Sequence, residues 1–217
     1  MKRNQGFTLV EIAIVLVIIG LLLGGVLKGQ ELINSAKVKN LANDFRVIPT
    51  YVYAYQDKFK SLPGDDATAA THVTGASNAT TPAGVQGNGV INGNWNSTTN
   101  TDESRLFWQH VRLSNLAAGP TDPTDASYTP KNAVGGSLGI SSATAAQLQI
   151  SGMSGTYQVC SAGILGKFAK QLDVQMDDGN TATGSLRVVA DAAALGSAAL
   201  ATTAVDDATS YTVCMTF

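Results

Sequence analysis

Few residues in this chain have the type and setting to do chemistry, and the first is a lone carboxylate. Glu11 stands in the stretch Gly6-Phe7-Thr8-Leu9-Val10-Glu11, and the chain then runs from Ile12 to Leu27 without a charge. Lys2 and Arg3 stand just ahead of it. A charged side chain at the centre of a helix in hydrocarbon costs about 2.5–3.5 kcal/mol on insertion scales. It persists there when something pairs with it, which makes Glu11 a functional-site candidate. A second group is made of hard oxygens: Asp177, Asp178 and Asn180, a calcium candidate by donor type. Asp65, Asp66, Asn88 and Asn92 form another such group. Neither has EF-hand spacing, and a hairpin turn and a helix-ending loop account for the two groups without an ion. Apart from that calcium candidate, no metal or cofactor is expected.

Catalysis finds little support. The two histidines lie apart, His72 in a Thr/Ala/Gly stretch and His110 beside Trp108 in a helical pattern. No nucleophile elbow, phosphate-cradling loop or H-E-x-x-H is present, so the chain is expected not to be an enzyme. His110, Trp95 and Trp108 are expected to serve as packing residues.

The elements that position Glu11 follow from periodicity. The apolar run is long enough to span a bilayer. Past Leu27 it becomes amphipathic, with Leu32, Ile33, Ala36, Val38, Leu41, Ala42, Phe45 and Ile48 at three- and four-residue steps. From Phe7 to about Phe59 this predicts one helix of roughly 50 residues, near 75–80 Å at 1.5 Å per residue. Pro49 should kink it. Gly20, Gly24, Gly25 and Gly29 weaken it, each by about 1 kcal/mol relative to Ala. Tyr51, Tyr53 and Tyr55 fall at two-residue steps that one helical face cannot hold, so at least one ring enters the core.

The stretch Gly6-Phe7-Thr8-Leu9-Val10-Glu11, behind a basic leader and ahead of the apolar run, resembles the class III signal of type IV prepilins and type II secretion pseudopilins. That resemblance implies cleavage after Gly6 by a membrane prepilin peptidase and N-methylation of Phe7. It also implies that Glu11 attracts the terminal amine of a neighbouring subunit during filament assembly. A secretory signal peptide and a plain membrane anchor compete with it. The first lacks a small-residue cleavage site before Lys28-Gly29-Gln30-Glu31, and the second gives no reason for Glu11.

The resemblance implies an α+β, pilin-like fold in which a long N-terminal helix packs on an antiparallel β-sheet head. The expected divisions are a leader over 1–6, a membrane or filament-core helix over 7–29, an amphipathic helix over 30–60 and a β-rich head over 61–217. Its C-terminal region, 160–214, would be bounded by a disulfide. An even count of cysteines in an exported chain reads as one bridge, Cys160 to Cys214, and two unpaired thiols are the alternative. Alternation in Tyr157–Cys160 and Tyr211–Phe217 puts both cysteines on one side of a sheet whose other face is buried. A bridge closing about 55 residues would stabilise the fold by roughly 4 kcal/mol.

Further along, Leu106, Phe107, Val111, Leu113 and Leu116 suggest a short helix. Residues 67–104 read as a surface excursion, with a turn or tight hairpin at Gly87–Asn94. Lys167–Leu172 suggests a helical turn, and Leu172–Met176 with Leu186–Val189 suggests a hairpin turning at Asp177–Asn180.

Composition separates the functional readings. Charged residues make up 14% of the 217, and without Lys2 and Arg3 the formal charge falls from −2 to −4. A mildly acidic head argues against a broad nucleic-acid surface. The leading expectation is a homopolymeric type IV pilus subunit for adhesion or motility. It would sit once through the bacterial inner membrane before assembly and then in an extracellular filament, served by prepilin peptidase and the inner-membrane assembly machinery. The alternatives are a secretion pseudopilin and a minor pilin for DNA uptake.

Overall fold

The computed structural model describes residues 8–217, so Lys2, Arg3, Gly6 and Phe7 lie outside the described residues. The chain divides into two compact units, Met1–Lys37 and Val38–Phe217. Helix α1, Leu9–Phe59, begins in the first and ends in the second, and its helical backbone runs through Pro49 and through Gly20, Gly24, Gly25 and Gly29.

Among its described residues the first unit is helical from Leu9 on, and none of them is buried. Every residue from Thr8 to Lys28 is exposed. The amphipathic stripe starts later than its periodicity suggests, for Leu32 and Ile33 are also exposed.

The second unit holds the fold. Val38, Leu41, Ala42, Phe45, Ile48, Val52 and Tyr55 of α1 are buried at three- and four-residue steps, the spacing of one helical face. Of the three tyrosines, Tyr55 is fully buried, Tyr51 is half-buried and Tyr53 faces solvent. The remaining elements are α2 (Ala69–His72), α3 (Glu103–Leu113), β1 (Leu138–Ser142), β2 (Tyr157–Leu165), α4 (Gly166–Met176), β3 (Leu186–Ala190), a 3₁₀ turn at Thr202–Ala204, and β4 (Ser210–Thr216). The strands form one antiparallel sheet in the order β1-β2-β4-β3, so the last strand lies inside the sheet between β2 and β3. This is an α+β fold consistent with that of pilins.

Side-chain alternation assigns the two sheet faces. Ile140, Tyr157, Val159, Val188, Tyr211 and Val213 point into one core with α1, with Phe107 and Val111 of α3, and with Phe168 and Leu172 of α4. The opposite face is covered too. Cys160, Val189 and Cys214 join Trp95, Leu148, Ile150 and Met153 in a second core. Cys160 and Cys214 face each other across β2 and β4 and form a disulfide. The bridge ties the C-terminal strand to the centre of the sheet, where a chain end would otherwise fray.

Two local expectations are corrected. Leu172–Met176 is helix rather than the first strand of a hairpin. Phe168, Ala169 and Leu172 are buried at helical spacing while Val174, which alternation would have turned inward, is exposed. Residues 67–104 are not simply a surface excursion, because Ala69, Val73, Ala79, Ile91 and Trp95 anchor the segment in the interior. Of the turn or tight hairpin expected at Gly87–Asn94, the structure has the turn, with Gly87, Gly89 and Gly93 at positive φ.

Gly139 on β1 shows how closely the 91–97 segment packs on the second face. A Cβ there would run into the Trp95 backbone carbonyl. Gly139→Ala should therefore lower stability by about 1–3 kcal/mol, the range for overpacking. A drop in the urea midpoint of the oxidised, detergent-solubilised chain would record it.

Candidate functional site

Glu11 is held by the turn that starts α1. The backbone N–H of Thr8 donates to Glu11 Oε2 at 2.8 Å, and the Thr8 hydroxyl donates to the same oxygen at 2.7 Å. In return the Glu11 N–H donates to Thr8 Oγ1 at 3.3 Å. This is a capping box, in which two residues three apart satisfy the orphan donors of a helix start. The pattern Thr8-x-x-Glu11 was its sequence signal. A carboxylate near a helix N-terminus also opposes the positive end of the helix dipole.

Around Glu11 the surface is uniformly apolar. Leu9, Val10, Ile12, Ile14, Val15, Leu16, and onward to Leu27 lie exposed, a contiguous patch of the kind that marks a membrane or protein contact. The helix is long and apolar enough to cross a membrane. A Cβ added at Gly20, Gly24, Gly25 or Gly29 would meet no atom within 4 Å. No contact among the described residues calls for those glycines. Next to Gly29, Lys28 pairs with Glu31 at 2.7 Å on the surface.

The other candidates sit in the second unit. Asp65 and Asp66 are buried, and their carboxylates are taken up as backbone anchors. Asp65 accepts from the N–H groups of Gly87, Asn88 and Gly89 at 2.6, 3.2 and 2.7 Å. Burial nonetheless raises its pKa above the usual carboxylate range, against the pull of those amides. Asp66 accepts from the Tyr55 hydroxyl at 2.8 Å and the Thr68 N–H at 3.0 Å, and pairs with His72 Nε2 at 2.6 Å. Burial opposes its charge, yet these partners hold its pKa below the usual value. Asn88 Oδ1 accepts from the Val90 N–H and the Asn92 amide donates to Glu103, so these four residues do not converge on a common ligand site.

His110 is a fully buried packing residue. Its Nδ1 accepts from the Gly64 N–H at 2.9 Å and its Nε2 donates to Ser77 O at 2.8 Å, which fixes the neutral tautomer. Burial lowers its pKa. Trp95 and Trp108 are likewise buried.

Of the calcium candidates, Asp177 and Asp178 come together with Asp173 of α4: one oxygen from each of the three lies within 4.8 Å of the others. The Asn180 N–H donates to Asp178 Oδ1, and the Asn180 side-chain oxygen accepts from the Ala182 N–H. Asp173 is completely buried, and neither of its oxygens has a hydrogen-bond partner. Burial, then the charges of Asp178 and Asp177, push its pKa up to about 6, with the Gly179 amide a minor opposing influence. Its place one helical turn before Asp177 was the available sequence signal.

Residues 1–27 match the family model for the prokaryotic N-terminal methylation motif, the class III signal of type IV pilins and pseudopilins. The motif supports a type IV pilin-like or pseudopilin-like protein and points to a structural subunit. No match was found among curated proteins or among solved structures.

Glu103 was not singled out by its sequence. It is fully buried, with Oε2 accepting from the Asn92 N–H at 2.7 Å and the Asn92 amide at 3.0 Å and with Oε1 unpartnered. Burial raises its pKa to about 7; the Asn92 bonds oppose this, and the charges of Asp65 and Asp102 add to it. The folded chain thus keeps a proton that the unfolded chain releases near pH 4.5. Stability should fall as pH rises through the window from about 4.5 to about 7, by on the order of 2–3 kcal/mol from this group. Glu103→Gln should remove that share, so urea midpoints measured from pH 5 to 7.5 should fall less steeply in the variant.

Proposed function

We propose that this chain is a filament subunit that polymerises through α1 into an extracellular type IV pilus-like filament for adhesion or motility. The observation that carries this reading is Glu11, a fixed carboxylate on an apolar helix that no described residue covers. Residues 7–29 anchor the precursor in the inner membrane. The leader 1–6 is cut after Gly6 by prepilin peptidase, and Phe7 is methylated. In assembly the apolar helices leave the lipid and bundle, while the heads form the outer surface. Glu11 of one subunit then meets the Phe7 amine of its neighbour. Opposite charges about 4 Å apart at an effective dielectric near 20 attract by roughly 4 kcal/mol, enough to set axial register. The four glycines with open space at Cβ support close approach of helices.

The bridge between Cys160 and Cys214 and the large head favour a pilus subunit over a secretion pseudopilin. Net acidity disfavours DNA capture.

Two substitutions separate capping from pairing. Glu11→Gln keeps an acceptor for the Thr8 donors but removes the charge, whereas Glu11→Ala removes both. Both should insert and be processed normally, yet give at least about tenfold less sheared filament, a loss of roughly 1.4 kcal/mol per tenfold. Normal filaments from Glu11→Gln would reduce Glu11 to a helix cap. Gly6→Leu should leave the leader attached, read by the intact mass of the membrane fraction. Mass spectrometry of sheared surface filaments should find the chain abundant there, and retention in the envelope would favour the pseudopilin reading.

A further inference from the structure

A cavity of about 250 Å³ opens on the second face of the sheet, and what it does is independent of the filament reading. Trp95, Asn96, Ser137, Gln149, Asp191 and Thr212 line it. That volume lies below the roughly 300–1,000 Å³ of sites for drug-sized ligands, so its occupant is small. The walls are tied together from within the chain. Gln149 Oε1 accepts from the Trp95 indole N–H at 3.0 Å, and the Gln149 amide donates to Ala193 O at 2.9 Å. Asp191 directly follows β3, in a turn closed by the Ala193 N–H on Ala190 O, with Ala192 at φ 58°. A non-glycine residue in that left-handed region is uncommon, and strained backbone of this kind gathers at ligand sites. The turn sets the Asp191 carboxylate in the cavity wall. Its Oδ1 accepts from the Thr212 hydroxyl at 2.8 Å and from the Gly163 N–H at 3.3 Å.

Both donors are neutral, and among the described residues Asp191 enters no ion pair. Among the same residues, no hydrogen bond of the fold uses Asp191 Oδ2, the Ser137 hydroxyl or the Asn96 side-chain amide. A carboxylate without a counter-charge, set beside an aromatic wall and two further neutral oxygens, suits a cation that carries N–H donors. We propose that the cavity binds a primary alkylammonium group, its N–H donors shared among Asp191 Oδ2, Asn96 Oδ1 and Ser137 Oγ. With Oδ1 already engaged, Asp191 offers one oxygen, which fits a compact ammonium better than the two-pronged fork of a guanidinium. The carbon chain lies against Trp95, where a cation over the ring gains further attraction. A free small amine and the lysine side chain of a peptide present this same chemistry.

The test uses the full chain in nonionic detergent at about 0.15 M NaCl, where loose attraction of cations to an acidic surface is screened. Binding of n-butylammonium chloride is followed by calorimetry and saturation-transfer NMR, and a Kd on the order of 1 mM is expected for so small a ligand. Tetramethylammonium, which has no N–H to donate, and the neutral sugar methyl galactoside should each bind at least about tenfold more weakly. Asp191→Asn keeps an acceptor for Thr212 and Gly163 but removes the charge, and it should weaken butylammonium at least about tenfold. Asn96→Ala, an exposed change that breaks no hydrogen bond of the fold, should weaken it about threefold with the urea midpoint unchanged. A capped Gly-Lys-Gly peptide that binds as tightly as butylammonium assigns the site to a lysine side chain. A peptide that fails where the amine succeeds assigns it to a free amine. Neither heat nor saturation transfer at about 20 mM butylammonium, far above the expected Kd, would overturn the assignment. So would equal binding of methyl galactoside, or binding undiminished in both variants.

Discussion

The constraint on which everything else rests is that the apolar part of α1 cannot be left in water. A scattered exposed leucine is ordinary on any protein, but a run exposed from Thr8 to Lys28 is not. Each 100 Å² of such surface withdrawn from water is worth about 2.5 kcal/mol. Lipid meets that requirement as well as protein does, so the hydrophobic effect alone does not choose between a bilayer and a bundle of helices. The choice falls to terms that lipid cannot supply: close backbone approach at the glycines, and an opposite charge for Glu11. The chemistry of the helix is therefore concentrated in the few residues that are not large and apolar.

The second unit solves a different problem. Its segment from 61 to 104 is rich in Thr, Ala, Asn and Gly and offers few side chains to a core. Order comes instead from buried carboxylates that collect backbone donors. Asp65 gathers three amides from one loop, and Asp66 ties Tyr55 of α1 to Thr68 and His72. Where donors outnumber the burial cost, as at Asp66, the charge is held; where they do not, as at Glu103 and Asp173, protonation becomes easier. Donor number alone does not decide it, for Asp65 is raised by burial in spite of three amides, whereas Asp66 also has His72 beside it.

How much of this was legible in the sequence follows the range of the interactions involved. The long helix, its buried stripe from Val38 onward and the helix around Phe107 were legible because helical periodicity is local. The disulfide was legible from strand alternation around Cys160 and Cys214 together with the family resemblance. Leu172–Met176 misled because five residues with apolar groups at alternate positions fit a strand, while the helical phase is set by Phe168 and Ala169 before them. The second core was hidden because it draws Trp95 from a loop and Leu148 and Ile150 from another, and no short window contains them together. Asp65 and Asp66 suggested ligands by type. The role of Asp65 depends on amides more than twenty residues away, and that of Asp66 on Tyr55 of α1 and on His72, pairings that composition does not reveal.

Glu11 was legible as a site, but its intrachain partner changes how the site is understood. The Thr8 hydroxyl and amide are neutral donors. They lower the cost of placing the carboxylate in an apolar setting without cancelling its charge. Among the described residues, the next cation along the helix is Lys28, which lies about 25 Å away at 1.5 Å per residue and is paired with Glu31. That distance exceeds any side-chain reach and far exceeds the range over which pairing is effective. In the proposed filament the leader cations are gone as well, and the terminal amines of Phe7, the subunit's own and its neighbour's, are the counter-charges that remain. The capping box then serves assembly as preorganisation. It fixes the carboxylate at the helix start before a neighbour arrives, so that the ordering cost is met within each subunit rather than at the moment of docking.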